Sequence, residues 1–160
     1  MQNNYQIENN IYAKETSKYG KSLFAKRDFK KDEVVFVVFG PIVKEATIYT
    51  IPISEELKID PTKPKGNLCQ YICHSCDPNL GIKNRTFFVA IRNIKKDEEV
   101  NVDYGMLGYE YGNEITEEER VCKCSSLICR GKLGCYKELP NEIKEKYMGY
   151  ISDYLVGYPH

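Results

Sequence analysis

Short apolar runs separated by turn-forming residues dominate this chain and predict a set of short β-strands. Residues 34–39 are a nearly continuous run of β-branched and aromatic side chains, typical of a buried strand, and Gly40 ends the run. Residues 100–104 alternate apolar and polar side chains, which predicts a strand with one buried face. Further short strands are predicted at residues 23–25, 87–91 and 49–53, the last at a sheet edge because it contains a proline.

The end of the chain has a different period. After Leu139 and Pro140, apolar side chains recur at helical spacing, and Gly157 ends the pattern. These side chains are Ile143, Tyr147, Met148, Ile151, Tyr154 and Leu155. Their face could bind a partner, but packing on the core is the simpler interpretation. Residues 116–119 have the sequence of a capping box and predict a helical turn. The pattern therefore predicts a mainly β domain with a C-terminal helix.

Length and composition restrict the class of protein. The 160 residues are enough for one domain with a buried core, and a formal net charge of zero argues against direct binding of nucleic acid. The longest strongly apolar run is far shorter than the ~20 residues of a membrane span, and the first residues do not read as a signal peptide. Seven cysteines without a secretion signal predict a reducing, intracellular compartment.

Charge is uneven along the chain. Residues 14–31 contain seven lysines and arginines against two acidic residues. Residues 97–119 contain nine acidic residues and no lysine or arginine. The acidic stretch is either an ordinary solvated face or a surface that attracts a basic partner.

Three cysteines, Cys122, Cys124 and Cys129, lie in one short segment. A structural zinc ion takes four thiolate or imidazole ligands in a closed tetrahedron. The most suggestive fourth ligand is Cys76, which lies in a distant His-Ser-Cys-Asp-Pro-Asn segment. Three alternatives stay open at this point: a disulfide, a cluster of unliganded thiols, and a zinc site in which Cys135 replaces Cys129.

Four segments carry a resemblance to a known family. They are residues 19–25 (Tyr-Gly-Lys-Ser-Leu-Phe-Ala), 71–79 (Tyr-Ile-Cys-His-Ser-Cys-Asp-Pro-Asn), 99–105 (Glu-Val-Asn-Val-Asp-Tyr-Gly) and 122–131 (Cys-x-Cys-x4-Cys-Arg-Gly). We name them the first, second and third motifs and the post-SET segment. In this order they resemble a SET domain, the fold of protein lysine methyltransferases, over residues 19–135. The family patterns are Lys-Gly-x-Gly-hydrophobic-Phe-Ala, Asn-His-Ser-Cys-x-Pro-Asn, Glu-Leu-Thr-Tyr/Phe-Asp-Tyr-Gly and the same cysteine spacing.

The resemblance implies a fold and its boundaries. The SET-domain fold has short curved sheets and a knot-like crossing of the second and third motifs. The implied parts are an N-terminal extension (1–18), the SET domain (19–120), the post-SET zinc segment (121–136) and a C-terminal helix (137–160). In this family the zinc of the post-SET segment takes its fourth thiolate from the second motif. The implied zinc ligands are Cys76, Cys122, Cys124 and Cys129.

The resemblance also implies the chemistry. S-adenosylmethionine would donate a methyl group to a lysine that enters through a narrow channel from the opposite face. Tyr104 matches the family's catalytic tyrosine, whose oxygen orients the amine. Alignment of amine, methyl group and sulfur would supply most of the catalysis. The implied cofactor-binding residues are Gly20, Lys21, Ser22, Leu23, Cys73, His74 and Tyr104.

Four positions depart from the family pattern. Cys73 replaces the asparagine of the second motif, and Ser22 replaces the second glycine of the first. Val102 and Val38 stand where the family usually has aromatic residues of the lysine channel, so we expect a wider, less polar channel. Because of these departures, an alternative is an inactive SET module that binds peptide or cofactor. A redox-sensitive thiol protein that uses the spare cysteines is a further alternative.

The expected partner is a basic protein, such as a histone tail, because the acidic stretch at residues 97–119 brackets the expected active site. No nucleic acid or membrane partner is expected, and the protein would be a monomer or a homodimer. We expect it in the cytoplasm, or in the nucleus if the substrate is a histone.

Overall fold

The strands of this protein are short and form two sheets. The computed structural model describes residues 10–18, 20–111 and 115–157. Tyr19 of the first motif and Glu114 of the acidic stretch lie outside the described residues. The described residues contain ten strands: β1 (Ile11–Thr16), β2 (Gly20–Ala25), β3 (Val34–Val37), β4 (Ile42–Val43), β5 (Ile51–Pro52), β6 (Lys58–Ile59), β7 (Cys73–His74), β8 (Leu80–Lys83), β9 (Phe87–Ala90) and β10 (Glu99–Val102). The two α-helices are α1 (Asn141–Lys146) and α2 (Asp153–Val156), and short 3-10 helices span Leu68–Tyr71, Tyr104–Met106 and Tyr136–Glu138.

The larger sheet has the strand order β1-β2-β10-β8-β9-β3, with β7 paired beside β10. The edge strand β1 pairs with β2 in continuous antiparallel register, from Ile11 opposite Ala25 to Thr16 opposite Gly20. The sequence pattern does not predict β1, which lies within the expected N-terminal extension (residues 1–18). Its alternation is weak, because Ile11 is its only large aliphatic side chain.

The centre of the larger sheet carries the core. Val100 lies opposite Leu23 and Val102 opposite Leu80, and none of the four side chains is exposed to solvent. Each such side chain contributes about 1.5–3 kcal/mol when it is buried. The clean alternation of β10 is therefore explained, since its apolar residues face the core.

The predicted strand at residues 34–39 is shorter in the structure. It ends as β3 at Val37, after a register shift between Val34 and Phe36. Gly40 then follows, where a Cβ atom would lie only 2.2 Å from the carbonyl oxygen of Asp60. The absence of a side chain at Gly40 therefore permits the residue after β6 to approach this closely, and the smaller sheet has the order β4-β6-β5. Strand β5 lies at the edge of the smaller sheet, as its proline predicted.

The C-terminal segment is helical but broken, so the prediction of one continuous helix is wrong. Gly149 adopts a φ of +84° between α1 and α2, a conformation that a right-handed helix cannot contain. Four of the six predicted apolar positions are buried, namely Tyr147, Ile151, Tyr154 and Leu155. Ile143 is partly buried, and Met148 is 72% exposed. No helix among the described residues has the length and apolar character to cross a membrane.

The C-terminal segment packs on the residues that follow β10. The Tyr154 hydroxyl donates to the carbonyl of Leu107 at 3.1 Å, and the Ser152 amide donates to the carbonyl of Met106 at 3.0 Å. The Ile82 amide also donates to the carbonyl of Tyr150 at 2.8 Å. The C-terminal segment therefore packs against Met106 and Leu107, the two residues that follow the third motif.

We expect Leu155→Ala to lower the free energy of unfolding by about 2–5 kcal/mol, because it empties a fully buried site. The matched control is Val156→Ala, since the adjacent Val156 is 57% exposed and the change should cost less than about 0.5 kcal/mol. Urea denaturation followed by fluorescence measures both. Equal effects of the two substitutions would contradict the packing of α2 on the core.

Candidate active site and metal centre

The second and third motifs lie side by side. β7 runs parallel to β10, with Cys73 opposite Asn101 and His74 opposite Val102. The side chain of Asn79, only 1% exposed, joins the same two segments: its Nδ2 donates to the carbonyl of Glu99 at 2.8 Å, and its Oδ1 accepts from the Asn101 amide at 2.9 Å. The two motifs thus interleave, as the resemblance to SET domains implied.

Tyr104 is held at both of its ends by the second motif. Its backbone amide donates to His74 Nδ1 at 3.1 Å, and its hydroxyl donates to the carbonyl of Ile72 at 2.9 Å. The centroids of the His74 and Tyr104 rings are 5.2 Å apart, and the rings pack edge to face. A phenol oxygen that donates its proton, as Tyr104 does to Ile72, can also accept hydrogen bonds through its lone pairs.

His74 connects Tyr104 to the cysteine cluster. Because Nδ1 accepts from the Tyr104 amide, the proton of the neutral ring lies on Nε2, which donates to Cys76 Sγ at 3.3 Å. Burial, with the nearby positive charge of Arg130, lowers the pKa of His74 to about 3. The histidine is therefore neutral at ordinary pH and has both ring nitrogens engaged.

Four thiols form one compact cluster. The sulfur atoms of Cys76, Cys122, Cys124 and Cys129 all lie within 4.8 Å of one another. The Cys76 and Cys122 sulfurs are 3.8 Å apart. A tetrahedral zinc with Zn–S bonds of ~2.3 Å requires sulfur separations of about 3.8 Å. The donor type, number and spacing thus fit zinc, and the four thiols are the ones implied by the resemblance.

The remaining cysteines lie elsewhere. Cys135 donates its S–H to Glu138 at 3.2 Å, and Cys69 donates to the carbonyl of Val37 at 3.6 Å. All seven cysteines are free thiols among the described residues. The alternative in which Cys135 replaces Cys129 as a metal ligand is therefore wrong, because Cys135 is not part of the cluster.

A buried ion pair fastens the post-SET segment to the third motif. Arg130 Nη2 lies 2.6 Å from Asp103 Oδ2, and the Asp103 side chain has no exposed surface. Burial raises the pKa of Asp103, while the Arg130 charge opposes that rise. The Arg130 backbone amide also donates to Cys76 Sγ at 3.4 Å. Arg130 therefore bridges the metal centre and the residue next to Tyr104, a role that sequence reasoning missed.

A cavity of about 640 Å³ lies where these parts meet. Five of the implied cofactor-binding residues line it: Gly20, Lys21, Cys73, His74 and Tyr104. The other two, Ser22 and Leu23, lie behind this wall and are fully buried. The opposite wall is formed by residues 46–52, and the post-SET end contributes Leu133 and Cys135.

Two departures from the family pattern contact each other. Ser22 Oγ and Cys73 Sγ are hydrogen-bonded at 3.1 Å, and Cys73 lies on the cavity wall. Val38 and Val102 are buried in the core and are not among the residues that line this cavity, so the wider lysine channel stays a prediction. Tyr71, Ile72 and Leu107 line the cavity around Tyr104 instead.

Four of the eight acidic residues of the stretch that the structure describes form ion pairs. Its ion pairs are Glu98–Arg92, Asp103–Arg130, Glu110–Lys137 and Glu117–Lys132. Glu110 and Glu119 line the cavity. The stretch therefore keeps part of its negative charge, and two of its acidic residues lie at the cavity.

Comparisons with known proteins agree with this arrangement. The sequence model described as "SET domain" matches residues 20–105, which is more than half of the chain. The chain therefore belongs to the SET domain family.

Several relatives share this domain. The histone-lysine N-methyltransferase ASHH3 of Arabidopsis thaliana is 27% identical over 148 residues, which cover 79% of this chain and 39% of that protein. The histone-lysine N-methyltransferase Set2 of Drosophila melanogaster is 34% identical over 93 residues, which cover 54% of this chain and 4% of that protein. The chain thus spans less than two fifths of the length of either relative.

The fold has a counterpart among solved structures. The crystal structure of KRYPTONITE in complex with mCHG DNA and SAH aligns with a TM-score of 0.63 at 24% identity. The alignment covers 78% of this chain and 29% of that one. At 24% identity this comparison shows that the two chains share a fold, and no more.

We expect Cys76→Ser to lower bound zinc from about one ion per chain to well below half, because it removes one of four thiolates. Cys135→Ser is the matched control and should keep its zinc, since Cys135 lies outside the cluster. Inductively coupled plasma mass spectrometry of both purified variants measures the metal. Loss of zinc only in the Cys135 variant would contradict the assignment.

Proposed function

We propose that this protein transfers the methyl group of S-adenosylmethionine to a lysine of a protein substrate. One observation carries the proposal: Tyr104, held by His74 and Ile72, lines the same cavity as the first and second motifs. The names of the relatives as histone-lysine N-methyltransferases support it.

The cofactor would supply a methyl group on a positively charged sulfur, from which it passes to the lysine nitrogen. The protein would hold the reacting groups in line and exclude water from them during this transfer. The Tyr104 oxygen, whose proton is donated to Ile72, would accept a hydrogen bond from the substrate amine and orient its lone pair. Gly20, Lys21, Cys73 and His74 would hold the cofactor along the cavity wall.

Zinc would have a structural role and stabilise the position of Tyr104. Its ligand Cys76 accepts from His74 Nε2, and His74 Nδ1 in turn accepts from the Tyr104 amide. This chain of hydrogen bonds would transmit the rigidity of a metal centre to the backbone of the catalytic tyrosine.

We infer a basic substrate, with a histone as the first candidate. The relatives named above support a histone, and Glu110 and Glu119 on the cavity support a basic peptide. A histone substrate favours the nucleus over the cytoplasm. Pairing of two copies and the absence of direct nucleic acid binding remain predictions from the sequence.

The contact between Ser22 and Cys73 favours a second candidate, a SET module that binds cofactor or peptide without turnover. Both residues depart from the family pattern, and Cys73 lies on the cavity wall. Isothermal titration calorimetry with S-adenosylmethionine, combined with a turnover assay on histones and cell lysate, separates the candidates. Binding without any transfer supports the module.

We expect Tyr104→Phe to reduce methyl transfer by about 10²-fold, because it removes the oxygen that orients the amine. Transfer of labelled methyl groups to histones measures this. The control is Tyr150→Phe, whose hydroxyl bonds Asp32 at the surface and which should retain activity. Undiminished methyl transfer by the Tyr104→Phe variant would contradict the proposed mechanism.

We expect Cys73→Asn to weaken cofactor binding, because the larger side chain on the cavity wall meets Ser22, which is fully buried behind it. The double variant with Ser22→Gly should regain affinity, with a coupling free energy of about 0.5–3 kcal/mol. Calorimetry on the wild type, both single variants and the double variant provides the cycle. Additive effects would show that the two residues do not act together.

A further inference from the structure

A buried arginine outside all four motifs joins three segments of the chain. Arg120 is 5% exposed, and its guanidinium donates to the carbonyl of Leu133 from Nε at 3.1 Å and from Nη2 at 2.9 Å. Nη1 donates to Glu117 at 2.9 Å, and Nη2 is paired with Glu138. We name this set of contacts the Arg120 clasp.

The clasp closes the end of the post-SET loop that lies away from the thiols. The Leu133 amide donates to the carbonyl of Arg120 at 2.7 Å, and the Cys122 amide donates to the carbonyl of Gly131 at 3.0 Å. The loop is therefore fixed by the cysteine cluster at one end and by Arg120 at the other. Neither of these two attachments shares a side chain with the other.

The clasp also reaches the residues on the far side of the loop. The Arg120 guanidinium lies over the Tyr111 ring, 4.6 Å from its centroid. The Glu138 carboxylate accepts from the amide and the thiol of Cys135, each at 3.2 Å. Although burial opposes it, hydrogen bonds from Arg120 and Cys135 lower the pKa of Glu138 to about 2.

Every segment held by the clasp supplies part of the cavity wall. Tyr111, Leu133 and Cys135, each in contact with Arg120 or with Glu138, line the cavity. The loop also lies beside the start of the first motif, because Lys18 Nζ donates to the carbonyl of Cys124 at 3.4 Å. The wall positioned by the clasp therefore lines the same cavity as Gly20 and Lys21 of the first motif.

We propose that Arg120 is a positioning residue for the cofactor, which shapes this wall independently of zinc. The inference rests on the proposed function, since it requires S-adenosylmethionine in the cavity. A guanidinium suits the task because its planar fork makes four contacts with one carbonyl and two carboxylates, whereas an ammonium has only three N–H donors. The guanidinium is buried and makes several hydrogen bonds, while Glu138 is partly exposed, so replacing Arg120 removes the contacts that join these parts of the wall.

The test compares Arg120→Gln, Glu138→Gln and the wild type by zinc content, calorimetry with S-adenosylmethionine, and steady-state kinetics. Arg120→Gln should keep its zinc and weaken cofactor binding roughly tenfold or more, with a matching rise in KM. Its kcat at saturating cofactor should stay within about threefold of the wild type. Glu138→Gln should shift binding in the same direction by a smaller factor.

The matched control is Glu117→Gln, which removes the clasp partner whose side chain is 69% exposed and should change binding less than about twofold. Unchanged cofactor affinity in Arg120→Gln, or loss of its zinc, would overturn the inference. If that variant does not fold, Glu138→Gln decides by the same criterion. A wild type that binds no cofactor would instead refute the proposed function, and this inference with it.

Discussion

The parallel pairing of β7 with β10 is the contact on which the site depends. Only two residue pairs form it, Cys73 with Asn101 and His74 with Val102. It brings the cavity wall, a metal ligand and the candidate catalytic tyrosine within a few residues of one another. So short a pairing cannot persist alone, and the amide of Asn79 supplies two further hydrogen bonds between the same segments.

The segments around this contact contain little apolar surface, and polar interactions replace it. Leu127 and Ile128 of the post-SET segment are exposed and contribute nothing to the core. Order in this segment instead comes from four clustered thiols and from the paired side chains of Arg130 and Arg120. A segment built in this way can stand beside an open cavity, where an apolar core would be exposed to water.

Sequence reasoning anticipated the parts of the structure that short local patterns encode. Alternation predicted β10, and the capping box at residues 116–119 is present, with reciprocal bonds between Thr116 and Glu119. The motif resemblance gathered the four thiols correctly. What it missed depends on partners distant in sequence or on a single backbone angle: β1 is defined by β2, Arg130 by Asp103, and the break in the C-terminal helix by Gly149. The periodicity of apolar residues along the sequence does not predict such long-range pairings.

The hydrogen bonds of His74 restrict the route of a proton. Both ring nitrogens are committed, one to the Tyr104 amide and the other to a cysteine sulfur. In the proposed reaction the substrate enters as an ammonium ion and must lose a proton before its nitrogen can attack. Neither this imidazole nor the arginine-paired Asp103 is free to take that proton. In the proposed reaction the proton would therefore pass to solvent or to the carboxylates of Glu110 and Glu119, which line the cavity. The access of solvent to the cavity would then bear on how fast the lysine becomes a nucleophile.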